Sequence, residues 1–186
     1  MNNWTLATIA MICAPALLVE AILTGGEERP VVIGLASMVF MVGWICSNTV
    51  MRRTRAAGTG RWGRAVLLIQ LVGLVLAFLF GFFEATGLIG DANVVFVATD
   101  LAWPLSMLWM LVVGITAVVA KRMQGWRRFA PLLCGLWLPL GIPFQAVLGE
   151  QTGSIMFGVS AVLWLLLGYA VRGGGQPAQA PEPAVR

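Results

Sequence analysis

Apolar residues run along this chain in long continuous stretches broken by short polar interruptions. Six such stretches lie near residues 4–24, 31–51, 65–86, 93–120, 129–149 and 154–171. A helix needs about 20 mostly apolar residues to cross a hydrocarbon core of roughly 30 Å, so each is long enough to span, or nearly so. Outer-membrane strands would alternate apolar and polar over about ten residues. Segments such as Leu71–Phe83 and Val159–Leu167 are apolar without alternation. The pattern predicts an all-α, polytopic integral membrane bundle of about six transmembrane helices.

The polar interruptions are short, so residues 1–172 are expected to form one membrane domain. Residues 173–186, rich in Gly, Pro, Gln and Ala, are expected to be a disordered cytoplasmic tail. Ala14-Pro15-Ala16 has the small residues of a signal cleavage site. Met1–Thr5 carries no Lys or Arg, however, and Glu20 follows, so the first stretch is expected to be a retained helix.

The loops also suggest an internal repeat. Ser37-Met38-Val39-Phe40-Met41 resembles Ser106-Met107-Leu108-Trp109-Met110 at a separation of 69 residues, which also carries Arg52-Arg53 onto Lys121-Arg122. Trp62 and Arg64 resemble Trp126 and Arg128, and Glu84-Ala85-Thr86-Gly87 resembles Glu150-Gln151-Thr152-Gly153. Three two-helix hairpins of one orientation, related by an axis along the membrane normal, would give this pattern. Chance similarity among Leu-, Met- and Trp-rich helices is the competing explanation.

Composition agrees with the bundle: of 186 residues, 59% are hydrophobic and 11% charged. Soluble domains carry roughly a quarter charged residues. The net charge of +4 would fit a nucleic-acid partner, but its distribution points elsewhere. Arg52, Arg53, Arg55, Arg61 and Arg64 follow the second stretch, Lys121, Arg122, Arg127 and Arg128 the fourth, and Arg172 the sixth. Those are same-side positions, as cytoplasmic loops require. The opposite loops hold Glu27, Glu28, Asp91 and Glu150, with Arg29 the single base. We therefore expect a multi-pass protein of the cell (inner) membrane with both termini cytoplasmic. The bases would face anionic headgroups, and no nucleic-acid partner is expected. Cys13, Cys46 and Cys134 fall inside apolar stretches and read as small hydrophobes.

Acids at membrane depth are costly and so become site candidates. Glu20, Glu84 and Asp100 qualify, all in the half of the bundle opposite the bases. Gln70, Gly73, Ala77, Gly81 and Glu84 recur at helical spacing, as do Asp100, Trp103, Met107, Met110 and Gly114, so both stripes should face the interior. Pro104, and Pro139 and Pro143 with Gly141 between them, interrupt the fourth and fifth stretches. These features together predict an outward-facing polar cavity lined by Glu20, Glu84, Asp100 and Gln145 and walled by Trp103, Phe144 and, more loosely, Trp137. Alternatively, Glu20 and Glu84 snorkel to the headgroups and Asp100 caps a shorter helix.

The chain has no histidine. That removes His-ligated haem, His-based triads and most catalytic zinc sites, and neither a phosphate loop nor a dinucleotide fingerprint occurs. No cofactor, metal or catalytic residue is expected. The leading expectation is a non-enzymatic protein that binds or translocates a small apolar or cationic ligand. A scaffold docking a membrane-protein partner through its helix faces is the alternative. An intramembrane lipid-modifying enzyme using carboxylates alone is a second alternative.

Overall fold

Prolines, glycines and a few side-chain caps decide where the helices begin and end. The structure, a computed structural model, describes residues 1–24, 30–90, 92–148 and 151–173. Helix α1 (Asn3–Cys13) starts where the Asn2 side chain accepts from the Thr5 N–H at 2.7 Å. It stops at Ala14-Pro15 because Pro15 has no N–H to give and its ring crowds the carbonyl four residues back. The chain re-enters a helix at once as α2 (Ala16–Thr24). The first expected span is thus two helices in series.

Helix α3 (Pro30–Arg53) opens with proline in the first turn, where its missing N–H costs nothing. It closes with Arg55 in the left-handed region at φ 54°. The Ala56 N–H then reaches the Met51 carbonyl at 2.9 Å and the Arg55 N–H the Arg52 carbonyl at 3.2 Å, a Schellman closure. Helix α4 (Arg61–Thr86) ends at Gly87, whose φ is 62°. Helix α5 (Val94–Ala120) begins where the Asn93 side chain accepts from the Val95 N–H at 2.9 Å, and ends at Lys121, φ 52°. A 3-10 turn (Gly125–Phe129) leads into α6 (Ala130–Leu148), and α7 (Gln151–Arg172) completes the order. Helix α4 begins earlier than the apolar stretch, at Arg61 and not near residue 65. Arginine is a good helix former and continues the helix into the polar zone. The three interior prolines shape their helices without ending them, since α5 runs through Pro104 and α6 through Pro139 and Pro143.

The described residues form helices and turns with no strand, and four helices are long and apolar enough to cross a membrane. These are α3, α4, α5 and α7, counted from Val31, Arg61, Val94 and Ile155. Their outer faces match that role. Leu68, Val72, Val75 and Leu79 lie along one side of α4 and are all exposed, an apolar surface too continuous for water.

Each rod packs on the next in chain order. Helices α1 and α2 lie against α3, then α3 on α4, α4 on α5, α5 on α6 and α6 on α7, while α7 returns to α1 and α2 and also touches α3. The ring is therefore closed. The contact between α3 and α7 is aromatic: Trp44 and Trp164 have centroids 4.2 Å apart, and Phe40 meets the Trp164 ring edge-on at 5.4 Å. Glycine sets the closest approaches. A Cβ on Gly34 would stand 2.5 Å from the Gly81 carbonyl oxygen, and one on Gly114 would collide with the Leu132 backbone. Small residues of this kind let helices pack in lipid, where apolar burial supplies no driving force.

The basic residues gather at one end. Arg53 donates to the Met1 carbonyl at 2.9 Å, Arg172 lies over the Trp4 ring at 4.3 Å, and Trp126 stacks on Tyr169 at 6.2 Å. These contacts bring the start of α1, the end of α3, the 3-10 turn and the end of α7 to a common level.

Candidate functional site

Helix α6 carries the stripe on which a site is built. Trp137, Gly141 and Gln145 follow at four-residue steps and so share a face. The Trp137 indole N–H donates to the Met156 carbonyl of α7 at 2.7 Å, and its ring meets Phe157 edge-on at 5.3 Å. That bond fixes the distance between α6 and α7 at one level. One turn further along, Gly141 has no side chain to fill the space, and a cavity of about 140 Å³ opens. Trp103 of α5 forms the opposite wall, with Met156 and Phe157 of α7 beside it. Ile142 and Gln145, both exposed, line its edge, so the cavity is accessible from the flank of the bundle.

Two of the expected site residues, Trp103 and Gln145, therefore come together here, along with Trp137. Phe144 does not line the cavity. It is 55% exposed, one residue and about 100° around the helix from Gln145. Glu84 and Asp100 are also absent from the lining residues. Glu84 is half-buried and Asp100 exposed. They flank a different contact, the Phe80–Phe96 pair between α4 and α5, whose centroids lie 5.2 Å apart. Glu84 sits one turn beyond Phe80 and Asp100 one turn beyond Phe96, in antiparallel helices. Their backbones are therefore staggered by roughly 12 Å along the bundle. Helical side chains tilt toward their own N-termini, so the two acids lean toward each other across this gap. The side chain of Glu20 lies outside the described residues, as do Glu150 and the segment beyond Gly173.

Both predicted stripes do pack against neighbours along most of their length. Gln70, Ala77 and Gly81 of α4 are buried, as are Met107, Met110 and Gly114 of α5. The Gln70 side-chain N–H donates to the Ser106 carbonyl at 3.2 Å, and the Trp109 indole N–H to the Val66 carbonyl at 3.0 Å. These two bonds cross between α4 and α5.

Among the described residues, none that lines the cavity carries a titratable side chain. Its walls are aromatic and aliphatic with the Gln145 amide at the edge, which suits binding by shape and apolar contact, with one polar group for orientation. Among the described residues no group of three or more His, Cys, Asp or Glu is placed to hold a metal. Met156, Phe157 and Leu138 complete the lining without any sequence signal, because nothing in their local pattern separates them from core residues. Compared with known proteins, the chain matches no family model, no curated protein and no solved structure.

Proposed function

We propose that this chain is a non-enzymatic, multi-pass protein of the cell (inner) membrane that binds a small apolar ligand, drawn from the bilayer, in the α5–α6–α7 cavity. In this reading all six rods cross, α1 with α2 counting as one, and both termini are cytoplasmic. The aromatic-walled cavity of about 140 Å³ carries the proposal. An apolar cavity of about 150 Å³ accepts a benzene-sized molecule, so the ligand portion held here is about one ring in size. With Glu84 and Asp100 outside the lining, an apolar ligand is favoured over a cationic one. The three-hairpin repeat is supported by the closed ring and by the matching ends of α3 and α5, each closed by a basic residue in the left-handed region.

The test is thermal unfolding of the detergent-purified protein with indole, benzene or tetramethylammonium. Indole or benzene should raise the midpoint and tetramethylammonium should not. Saturation at a hundred times Kd would add about 2.7 kcal/mol. Gly141→Leu fills the cavity and should abolish the shift. An unchanged response in that variant, or stabilisation by the cation alone, overturns the reading. Orientation is tested separately by maleimide labelling of Thr59→Cys from the cytoplasmic side and Leu88→Cys from the other.

One observation favours a second reading, a docking surface for a membrane-protein partner. Asp100 is exposed on α5 beside exposed Val97 and Leu101, and a carboxylate among lipid-facing residues is costly without a partner. Loss of a copurifying protein in Asp100→Asn would support it, and a lone monomer at native expression would refute it.

A further inference from the structure

A second and larger cavity, of about 540 Å³, lies at the basic end of the bundle where the end of α3, the following turn and the start of α4 meet. Arg52, Arg53, Arg55 and Arg64 line it, with Leu67 and Leu68 on the wall toward the apolar part of α4. Its volume is in the range of ordinary ligand sites, roughly 300–1,000 Å³. The chain has no Asp or Glu between residues 29 and 83, and Glu84 and Asp100 belong to the outer ends of their helices. Four arginines thus line one concavity with no carboxylate from either helix beside them.

Two features show that this arrangement is built. Arg53 is braced by the start of the chain, donating to the Met1 carbonyl at 2.9 Å. Arg55 occupies the left-handed position of the Schellman closure at φ 54°, a place normally taken by glycine. A non-glycine residue there is disfavoured by roughly 1–2 kcal/mol, and such strain concentrates at functional sites. Glycine would close α3 without that strain but would remove one of the four arginines.

We propose that this cavity binds the phosphate headgroup of an anionic phospholipid from the adjacent leaflet. Guanidinium forks match phosphate oxygens bidentately. The lipid source follows from the apolar wall: Leu68, 49% exposed, continues into Val72, Val75 and Leu79, a stripe along which acyl chains can lie below the headgroup. The inference rests on α4 facing lipid and is independent of the α5–α6–α7 cavity.

The test uses the full chain in detergent, with native mass spectrometry and thermal unfolding as readouts. Dioleoylphosphatidylglycerol and dioleoylphosphatidylcholine are offered in equal amounts, and inorganic phosphate alone in a separate series. Phosphatidylglycerol should be retained preferentially and should raise the unfolding midpoint. Arg52→Gln and Arg64→Gln should each weaken its retention about fivefold, the effect expected of one basic residue near an anionic surface. Arg55→Gly should raise the lipid-free midpoint while shrinking the lipid-induced shift, a combination that a merely structural arginine would not give. Arg127→Gln, outside the cavity, should bind as wild type. Equal retention of the two lipids, or wild-type binding by the cavity variants, overturns the proposal. So does an equal loss in Arg127→Gln, which would mean diffuse attraction. Full stabilisation by millimolar inorganic phosphate, with no further effect of phosphatidylglycerol, would assign the cavity to a soluble phosphate compound and overturn the lipid source.

Discussion

Adding a single methyl group at Gly34 should measurably loosen the bundle. The new Cβ would stand 2.5 Å from the Gly81 carbonyl oxygen and 2.7 Å from the Ala85 nitrogen. Both are backbone atoms, so no rotamer change relieves the clash. Ordinary contact begins at 3.4 Å, so α3 and α4 must part by about 0.9 Å (3.4 − 2.5) at this crossing. A gap of about 0.5–1 Å forfeits a quarter to a half of each pair's dispersion energy, itself about 0.1–0.2 kcal/mol. Over ~30 atom pairs along the crossing the loss is about 0.8–3 kcal/mol, close to the range for overpacked sites. Lipid returns no hydrophobic gain for the added methyl. Tryptophan fluorescence during titration from mild detergent into dodecyl sulfate would give the free-energy difference. The paired control is Gly158→Ala, whose Cβ would lie 3.8 Å from the nearest Leu18 atom, an ordinary contact. It should be neutral or slightly stabilising, because alanine is the better helix former. The reasoning fails if Gly34→Ala unfolds within about 0.5 kcal/mol of wild type, or if both variants lose the same amount.

Other substitutions probe the seams and the exposed acids by the same unfolding titration. Gln70→Met should be close to neutral, because it removes the 3.2 Å bond to Ser106 together with a buried side-chain oxygen that has no partner in the protein; a loss above about 2 kcal/mol would show that the amide holds α4 to α5. Trp137→Phe keeps the ring and loses the 2.7 Å bond to the Met156 carbonyl, so about 1 kcal/mol should go, with the indole-induced shift reduced. Asp100→Asn, on an exposed side chain, should unfold within about 0.5 kcal/mol of wild type and leave indole binding intact. Buried Cys46 and Cys134 should resist maleimide in the folded protein and react in dodecyl sulfate, as followed by intact mass.

The helices were legible because a continuous apolar run leaves a chain in lipid little other choice. Proline was harder to weigh. Pro15 divides the first stretch, while Pro104, Pro139 and Pro143 leave their helices continuous, and local sequence does not tell the two outcomes apart. The candidate site was legible in part for a geometric reason. A stripe at steps of three and four tells which residues share a face, but not which neighbour that face meets. Asp100 and Trp103 differ by only about 60° around α5, yet one is exposed and the other lines a cavity. Phe144 and Gln145 part company in the same way on α6. The arginine cavity was hidden more deeply. Its bases stood in plain view, but their convergence depends on Arg55 adopting a backbone conformation that sequence rules reserve for glycine.

Closure of the ring also sets a timetable for assembly. Helix α1 is held between α3 and α7, and α7 begins 138 residues after α1 ends (151 − 13). At about 5–20 residues per second, the ribosome delivers α7 roughly 7–28 s after α1. Through that interval Trp44 lacks the Trp164 ring that later covers it, and one flank of α1 lacks its α7 neighbour. The last seam to form is therefore the one joining the two ends of the fold, so a nascent chain stalled before α7 would leave an open arc of helices with an aromatic edge exposed.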